Sequence, residues 1–116
     1  MGLDQVGLPS AGRETLVLTE PGYAALGNVG GSLKYLWKND APVIVRRIGT
    51  DLYEAYSASC AHQGCEVPLP SGNRIKCPCH GATYDADGNR LSGPGSGNLR
   101  AGTVSLSGTE LTIAFA

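Results

Sequence analysis

Apolar and polar residues alternate in short runs along this chain, in the pattern that β-strands produce. Leu33, Tyr35 and Trp37 share one face of an extended segment, and Val43 and Val45 share one face of the next. The aromatic pair alternates as core residues do, so we expect it to pack rather than to stack on a ligand. The pattern predicts at least three strands before the first cysteine.

Turn signals divide these runs into hairpins. Gly-Thr-Asp at 49–51 falls between two strand-like segments, and a Ser-Gly-Thr turn separates strands predicted at 103–106 and 110–115. A further strand is predicted at 14–20, where a Pro-Gly pair follows. No segment carries a convincing helical period, and no internal repeat is present.

Two stretches lack any strand period. The small, polar residues 1–12 predict a loose lead-in, and residues 85–98 are rich in turn dipeptides such as Asp-Gly and Gly-Pro. We predict a single all-β domain of 116 residues, an antiparallel sandwich or barrel. Its predicted parts are a base fold at 13–57 and 97–116 and a loop-rich subdomain inserted at 58–96.

Composition narrows the class of protein. The formal net charge is −1 without any run of Lys or Arg, which argues against a nucleic-acid or acidic-lipid partner. Arg46 and Arg47 are therefore expected at solvated strand positions rather than in a docking patch. The longest apolar run, at 41–45, is far shorter than the roughly 18 residues of a membrane span. The first residues also lack the features of a signal peptide.

All four cysteines and both histidines fall within two short segments. The first, YSASCAHQGCEV, spans 56–67, and the second, KCPCHGATYD, spans 76–85. Thiolates and imidazoles are ligands that suit transition metals. A chain long enough to fold around a packed core does not need cysteines only for stability, so the two segments indicate a metal site.

Three interpretations fit these residue types. Two disulfides would use every cysteine but leave both histidines unexplained. A structural zinc site of the Cys2His2 type takes its cysteines in one pair and its histidines in another, whereas here the pairs combine one cysteine with one histidine, Cys60-x-His62 and Cys77-x-x-His80. In the third interpretation, each segment gives one thiolate and one imidazole to a centre of two irons. A covalent haem requires Cys-x-x-Cys-His, and the run at 77–80 is one residue short of that motif.

The motifs CAHQGC and CPCHGATY resemble the two boxes of the Rieske iron–sulfur proteins, and the GPG at 93–95 resembles the proline loop of that family. The resemblance implies a [2Fe-2S] cofactor. The implied ligands to its irons are Cys60, His62, Cys77 and His80. The extra cysteine in each box is typical of the class found in cytochrome bc-type complexes, and it implies a disulfide between Cys65 and Cys79.

The same resemblance implies a surrounding shell of residues. Tyr84 matches a tyrosine whose hydroxyl bonds a cysteine sulfur, Gly81 follows the second histidine, and Pro94 belongs to the proline loop. High-potential members carry a serine hydroxyl donor where this chain has Ala82, so we expect a lower reduction potential than theirs. Gln63 replaces the leucine that is usual at the tip of quinol-oxidising members, and a polar tip suits an apolar quinone pocket less well.

The implied function is one-electron transfer, coupled to proton transfer at the ligand histidines, in a quinol-oxidising or related respiratory chain. The implied partners are a cytochrome or oxidoreductase subunit and quinol. No catalytic site is expected, because an oxygenase iron would need two further histidines. The alternatives are a small subunit of a larger oxidase resembling the arsenite-oxidising type, a free soluble carrier, and a structural zinc-binding module.

The implied disulfide also bears on location. Disulfides persist in oxidising compartments. We therefore expect an extracytoplasmic location, on the periplasmic side of a membrane, with an N-terminal anchor removed. A soluble cytoplasmic protein whose disulfide is shielded is the alternative.

Overall fold

The computed structural model describes residues 6–60, 64–79, 81–93 and 97–116. This part of the chain forms nine strands and one 3₁₀ helix, which are, in chain order, β1 Gly12–Val17, the helix Pro21–Gly27, β2 Ser32–Leu36, β3 Pro42–Arg47, β4 Tyr53–Ser57, β5 Arg74–Lys76, β6 Thr83–Asp85, β7 Arg90–Ser92, β8 Thr103–Ser107 and β9 Glu110–Phe115. All paired strands are antiparallel. The predicted antiparallel all-β class is confirmed. None of the helices in the described ranges has the length and apolar character needed to cross a membrane.

The strands form three sheets of three strands each. We call β1-β9-β8 the terminal sheet, β2-β3-β4 the middle sheet and β5-β6-β7 the small sheet. The terminal sheet joins the two ends of the chain, because β1 pairs with β9 along its whole length. In sequence, β5 leads into the second cysteine segment, β6 forms the end of that segment and β7 follows it. The predicted boundaries of a base fold and an inserted subdomain remain predictions.

Strand β3 explains how the sheets are arranged. Pro42, Val43, Ile44 and Val45 are all buried, so neither face of this strand meets solvent. Because successive side chains of a strand point to opposite faces, Ile44 lies in a different core from Val43 and Val45. The middle sheet therefore has a core on each side.

The core on one face, which we call the terminal core, comprises Leu16, Leu26, Trp37, Ala41, Val43, Val45, Ala55, Leu111, Ile113 and Phe115. The core on the other face, which we call the box core, comprises Ile44, Tyr56, Ala58, Cys60, Cys65, Val67, Ile75, Cys77, Ala82, Tyr84 and Leu99. The terminal core thus supports the fold between two larger sheets, while the box core holds three of the four cysteines.

The aromatic residues of β2 and the following turn pack as predicted. The Trp37 ring meets Phe115 edge-on, with centroids 5.1 Å apart, and lies 6.3 Å from Tyr35. Burial leaves only 1% of Trp37 exposed. The indole N–H still finds an acceptor, because it donates to the Ser10 carbonyl at 2.8 Å. Both predicted hairpins are also confirmed, at the β3–β4 and β8–β9 connections.

Several local predictions were wrong. The first strand runs from Gly12 to Val17 instead of 14–20, and a 3₁₀ helix follows where no helix was predicted. Pro21 accounts for that helix, since proline fixes φ near the helical value and needs no amide partner in a first turn. Strand β7 lies inside the stretch at 85–98 that was predicted to be a loop. A strand of three residues is too short to show an alternating pattern.

The prediction that Arg46 is solvated was also wrong. Only 14% of its side chain is exposed, because the turn after β6 covers it. Its guanidinium Nη1 lies 2.5 Å from a Glu54 carboxylate oxygen and donates to the Ala86 carbonyl at 2.6 Å. The lead-in is likewise ordered from Val6 onward, through hydrogen bonds described below.

Candidate metal centre

The first box is a tight loop at the end of β4. The Ala58 amide donates to the Pro42 carbonyl at 3.0 Å, which fixes the chain just before Cys60. The Cys60 amide then donates to the Cys65 carbonyl at 2.7 Å, and the Gly64 amide donates back to the Cys60 carbonyl at 2.9 Å. These bonds close the loop across its mouth. Cys60 is 4% exposed.

The second box repeats this hydrogen-bond pattern at the end of β5. The Cys77 amide donates to the Ala82 carbonyl at 2.8 Å, and the Gly81 amide donates to the Cys77 carbonyl at 3.1 Å. Gly81 has φ 77° and its counterpart Gly64 has φ 73°, a left-handed conformation that residues with a Cβ adopt at a cost. The two boxes are therefore equivalent loops, and each buries its first cysteine.

A disulfide joins the two loops. Cys65 and Cys79 are bonded, with their Cα atoms 6.4 Å apart, within the normal range for a disulfide. The pairing implied by the family resemblance is therefore confirmed. Cys60 and Cys77 are not part of this bond, and both are buried in the box core. The cross-link holds the boxes side by side, so that the two buried sulfurs belong to one site.

A tyrosine hydroxyl completes the described part of the site. Tyr84 lies on β6 with 1% of its surface exposed, and its hydroxyl is 3.3 Å from the Cys60 sulfur. This distance allows a hydrogen bond to sulfur. Tyr84 thus links the small sheet to the first box, although its own position in sequence follows the second.

The chain packs closely against the second box at Gly93. A Cβ on Gly93 would lie 2.5 Å from the Ala82 Cα and 3.1 Å from the Gly81 carbonyl oxygen. No side chain fits in such a space, and the φ of 96° independently favours glycine. Ala82 itself is fully buried. The segment that leads into the GPG motif therefore covers the second box directly.

The remaining predicted site residues, His62, Gln63, His80 and Pro94, lie outside the described residues. Within the described ranges, no three His, Cys, Asp or Glu side chains come together as metal ligands. Two thiols on equivalent loops in an apolar core still suit iron. Thiolates are soft ligands, and an apolar surrounding keeps water from the metal–sulfur bonds.

A charged network that the sequence analysis missed lies beside the box core. Arg46 contacts both Glu54 and Asp87, at 2.5 Å and 3.1 Å. Burial, together with the neighbouring Asp87 carboxylate, raises the pKa of Glu54 to about 7, although Arg46 opposes the rise. The Tyr56 hydroxyl donates to the Ala86 carbonyl at 2.8 Å, and burial raises its pKa above the ordinary value. The only signal in the sequence for this network was the opposite charge of Arg46 and Glu54, which face each other on β3 and β4.

Two equivalent cysteine loops, joined by a disulfide and each burying a thiol, are typical of a site that binds a metal centre such as an iron–sulfur cluster. Comparison with known sequences gives the family. The chain belongs to the Rieske [2Fe-2S] domain family, whose sequence profile matches residues 25–105. This membership confirms the Rieske assignment, its [2Fe-2S] cofactor and electron transfer as the function of the domain.

Two relatives are cytochrome b6-f complex iron-sulfur subunits of cyanobacteria. The subunit of Synechococcus sp. (strain WH7803) is 40% identical over 68 residues, which cover 56% of this chain and 38% of the relative. The subunit of Prochlorococcus marinus (strain AS9601) is 35% identical over 92 residues, which cover 77% of this chain and 52% of the relative. The matches therefore span about two fifths to one half of the relatives' length.

Solved structures show the same fold. The cyanobacterial plasma membrane Rieske protein PetC3 from Synechocystis PCC 6803 is 30% identical with a TM-score of 0.62, over 72% of this chain and 86% of that one. A chain from the complex of reduced oxygenase and oxidized ferredoxin in carbazole 1,9a-dioxygenase is 26% identical with a TM-score of 0.58, over 78% of this chain and 87% of that one.

Proposed function

We propose that this domain transfers single electrons through a [2Fe-2S] cluster held by Cys60, His62, Cys77 and His80. One observation carries the assignment. Two loops with the same hydrogen bonds each bury one thiol, and the Cys65–Cys79 disulfide holds the loops together. The sequence places one histidine in each of these loops. Each box therefore supplies one thiolate and one imidazole.

The four proposed ligands are of two kinds, which differ in charge. The thiolates of Cys60 and Cys77 would hold one iron and carry negative charge, while the imidazoles of His62 and His80 would hold the other without adding any charge. When bound, the cluster supplies a one-electron couple. Two imidazoles in place of thiolates move its potential from about −400 mV to between about −150 and +300 mV. The Tyr84 hydroxyl raises it further, because it stabilises negative charge on the Cys60 sulfur.

Proton transfer is proposed at the two ligand histidines. An imidazole that binds a metal through one ring nitrogen keeps a proton on the other nitrogen, and it would hold that proton more tightly in the reduced protein than in the oxidised one. His62 and His80 would thus release a proton on oxidation and take it up on reduction. The midpoint potential should accordingly fall as pH rises through their ionisation in the oxidised protein.

Two observations support a place in a quinol-oxidising complex. The relatives at 40% and 35% identity are named as cytochrome b6-f complex subunits. The disulfide between the boxes is, by resemblance, a mark of the bc-type class. The proposed partners are then quinol as donor and a cytochrome as acceptor. The proposed location is the periplasmic side of a membrane, where a disulfide persists.

A second candidate is a carrier that delivers electrons to an oxygenase. The supporting observation is the 26% identity and 0.58 TM-score to a chain of the carbazole dioxygenase complex. Gln63 favours this candidate, because a polar tip is less suited to an apolar quinone pocket. The midpoint potential separates the two candidates, since oxidation of a quinol requires a high potential.

The test is a reductive titration of the iron-loaded protein, followed by low-temperature electron paramagnetic resonance at several pH values. A reduced signal with a low average g, and a midpoint that falls with rising pH, are expected. A matched pair of variants, His80→Cys and Ser105→Cys, adds one cysteine either at the proposed ligand or at an exposed position on β8 in the terminal sheet. Only His80→Cys should change the signal. A colourless protein with stoichiometric zinc would overturn the proposal.

A further inference from the structure

Residues 6–10 form a segment without regular secondary structure that bonds to two separate parts of the molecule. One end meets the first box and the other meets the turn between β2 and β3. We call residues 6–10 the strap. It precedes the first strand and contributes to none of the three sheets.

The box end of the strap consists of two bonds from Val6. Its amide donates to the Gly64 carbonyl at 2.7 Å, and its carbonyl accepts from the Ser59 hydroxyl at 3.1 Å. Ser59 is 4% exposed and directly precedes Cys60. Gly64 is the residue that turns the box back toward Cys60. Val6 therefore holds the loop from both sides of the positions proposed to bind iron.

The other end is anchored to rigid structure. The Asn39 side-chain amide donates to the Leu8 carbonyl at 3.0 Å, and its oxygen accepts from the Ser10 amide at 3.3 Å. The Ser10 carbonyl accepts from the indole of Trp37, which is fixed in the terminal core. The strap thus ties the first box to a buried aromatic residue, and all of these bonds use backbone groups on the strap's side.

The two boxes differ in what supports them from outside. The second box is covered by Gly93, which follows β7 and packs on Ala82. The first box is bonded by the strap. The strap thus gives the first box an outside attachment at the place where the second box has the packing of Gly93. We propose that the strap is a positioning element for Cys60 and His62, and that its release loosens the first box and speeds loss of the cluster.

The inference rests on the proposed ligand set, and Val6→Pro in the full chain tests it. Proline removes the amide that donates to Gly64 while leaving the cysteine loop unchanged. Val6→Ala keeps that amide and is the matched control. Loss of one hydrogen bond to the Gly64 carbonyl should open the first box about fivefold more often. Amide hydrogen exchange in the first box and cluster loss to an iron chelator should both accelerate about fivefold in Val6→Pro.

The resonance spectrum distinguishes a positioning role of the strap from a general effect on the stability of the protein. The reduced resonance signal of Val6→Pro should broaden, because the ligand loop samples more conformations, whereas the thermal unfolding of the terminal core should change little. Asn39→Ala is the second variant and cuts the exposed far end of the strap. It should act in the same direction. Unchanged exchange, cluster loss and line width in both variants would overturn the inference.

Hydrogen exchange also distinguishes this inference from the proposed function. If the unaltered protein takes up no cluster, the proposed function fails, yet exchange in the first box of the oxidised chain still reports on the strap. If the cluster forms normally and Val6→Pro behaves like Val6→Ala, only the inference fails.

Discussion

Tyr84 and Ala82 are two buried neighbours that differ in what they offer to sulfur. The Tyr84 hydroxyl lies 3.3 Å from the Cys60 sulfur, whereas Ala82 has no polar side-chain atom. A donor stabilises the reduced state more than the oxidised one, because the reduced cluster carries more negative charge. The number of donors should therefore set the fine value of the potential.

The first prediction removes the existing donor. Tyr84→Phe should lower the midpoint potential by an amount on the order of tens of millivolts, since a single hydrogen bond to a charged sulfur is lost. Protein-film voltammetry or a redox titration measures the change. Tyr53→Phe, on β4 outside the box core, is the control and should leave the midpoint where it is. An unshifted Tyr84→Phe would show that the hydroxyl does not act on the cluster.

The second prediction adds a donor. Ala82→Ser should raise the midpoint by a similar number of millivolts, on the order of tens. The position is fully buried beside Gly93, so the added oxygen has few directions open to it. Ala82→Gly, which adds no donor, is the control. A midpoint that stays the same or falls in Ala82→Ser contradicts the argument.

Site features that depend on the type of side chain could be predicted from the sequence. Cysteine and histidine carry their chemistry in their side chains, so the sequence showed both boxes, and resemblance to a family supplied the disulfide pairing that the structure contains. Val6 makes both of its bonds through its own backbone, donating to the Gly64 carbonyl and accepting from the Ser59 hydroxyl. Every residue but proline has such groups, so no residue pattern marks them.

Among the elements, β3 has a role that its sequence predicted only in part. Val43 and Val45 were assigned to one face, but the burial of Ile44 on the other follows from the small sheet, whose strands have three residues each. Strands so short give no period. The terminal and middle sheets were thus predictable from alternation and turns. The packing of the small sheet against the Ile44 face of β3 was not.

The third prediction compares the cores on the two faces. Val67→Ala and Val45→Ala remove the same atoms from fully buried positions, one in the box core and one in the terminal core. Each should lower the free energy of unfolding by about 2 kcal/mol. Only Val67→Ala should also speed cluster loss, because Val67 packs with Cys60 and Cys77. Denaturant unfolding and chelator assays measure the two effects, and equal rates of cluster loss would contradict the separation of the cores.

Across the whole molecule, Arg46 joins residues that are far apart in sequence. It connects β3 and β4 to the turn after β6 through Glu54, Ala86 and Asp87. The pairing of Arg46 with Glu54 follows from a predicted hairpin, whereas the approach of Asp87 follows from the packing of the small sheet. Long-range contacts of this kind depend on the assembled fold, which is why a solvated arginine was predicted instead.

The fourth prediction concerns pH. Because the folded pKa of Glu54 is about 7 and its ordinary value is 4.5, the folded chain holds a proton that the unfolded chain releases between these values. The stabilisation is full below about pH 4.5 and is lost as pH rises through 7. Relative to Glu54→Gln, the unaltered protein should lose stability across this window, by on the order of 1 kcal/mol because solvent screens this partly exposed carboxyl.

Denaturant unfolding at several pH values measures this difference. Asp85 does not interfere: burial alone would raise its pKa, but hydrogen bonds from Asn89 and Asp87 hold it below its ordinary value of 3.8. Its stabilisation is present above pH 3.8 and is lost only in more acidic solution. The same slope for Glu54→Gln and the unaltered protein between pH 4.5 and 7 would contradict the prediction.

The Cys65–Cys79 disulfide also constrains the order in which the protein matures. Four cysteines can form six different single bonds, and the other five all consume Cys60 or Cys77. Oxidation of an empty chain would thus compete with metal loading. Iron bound to Cys60 and Cys77 beforehand leaves one pair available, so loading before oxidation directs the oxidant to the correct bond.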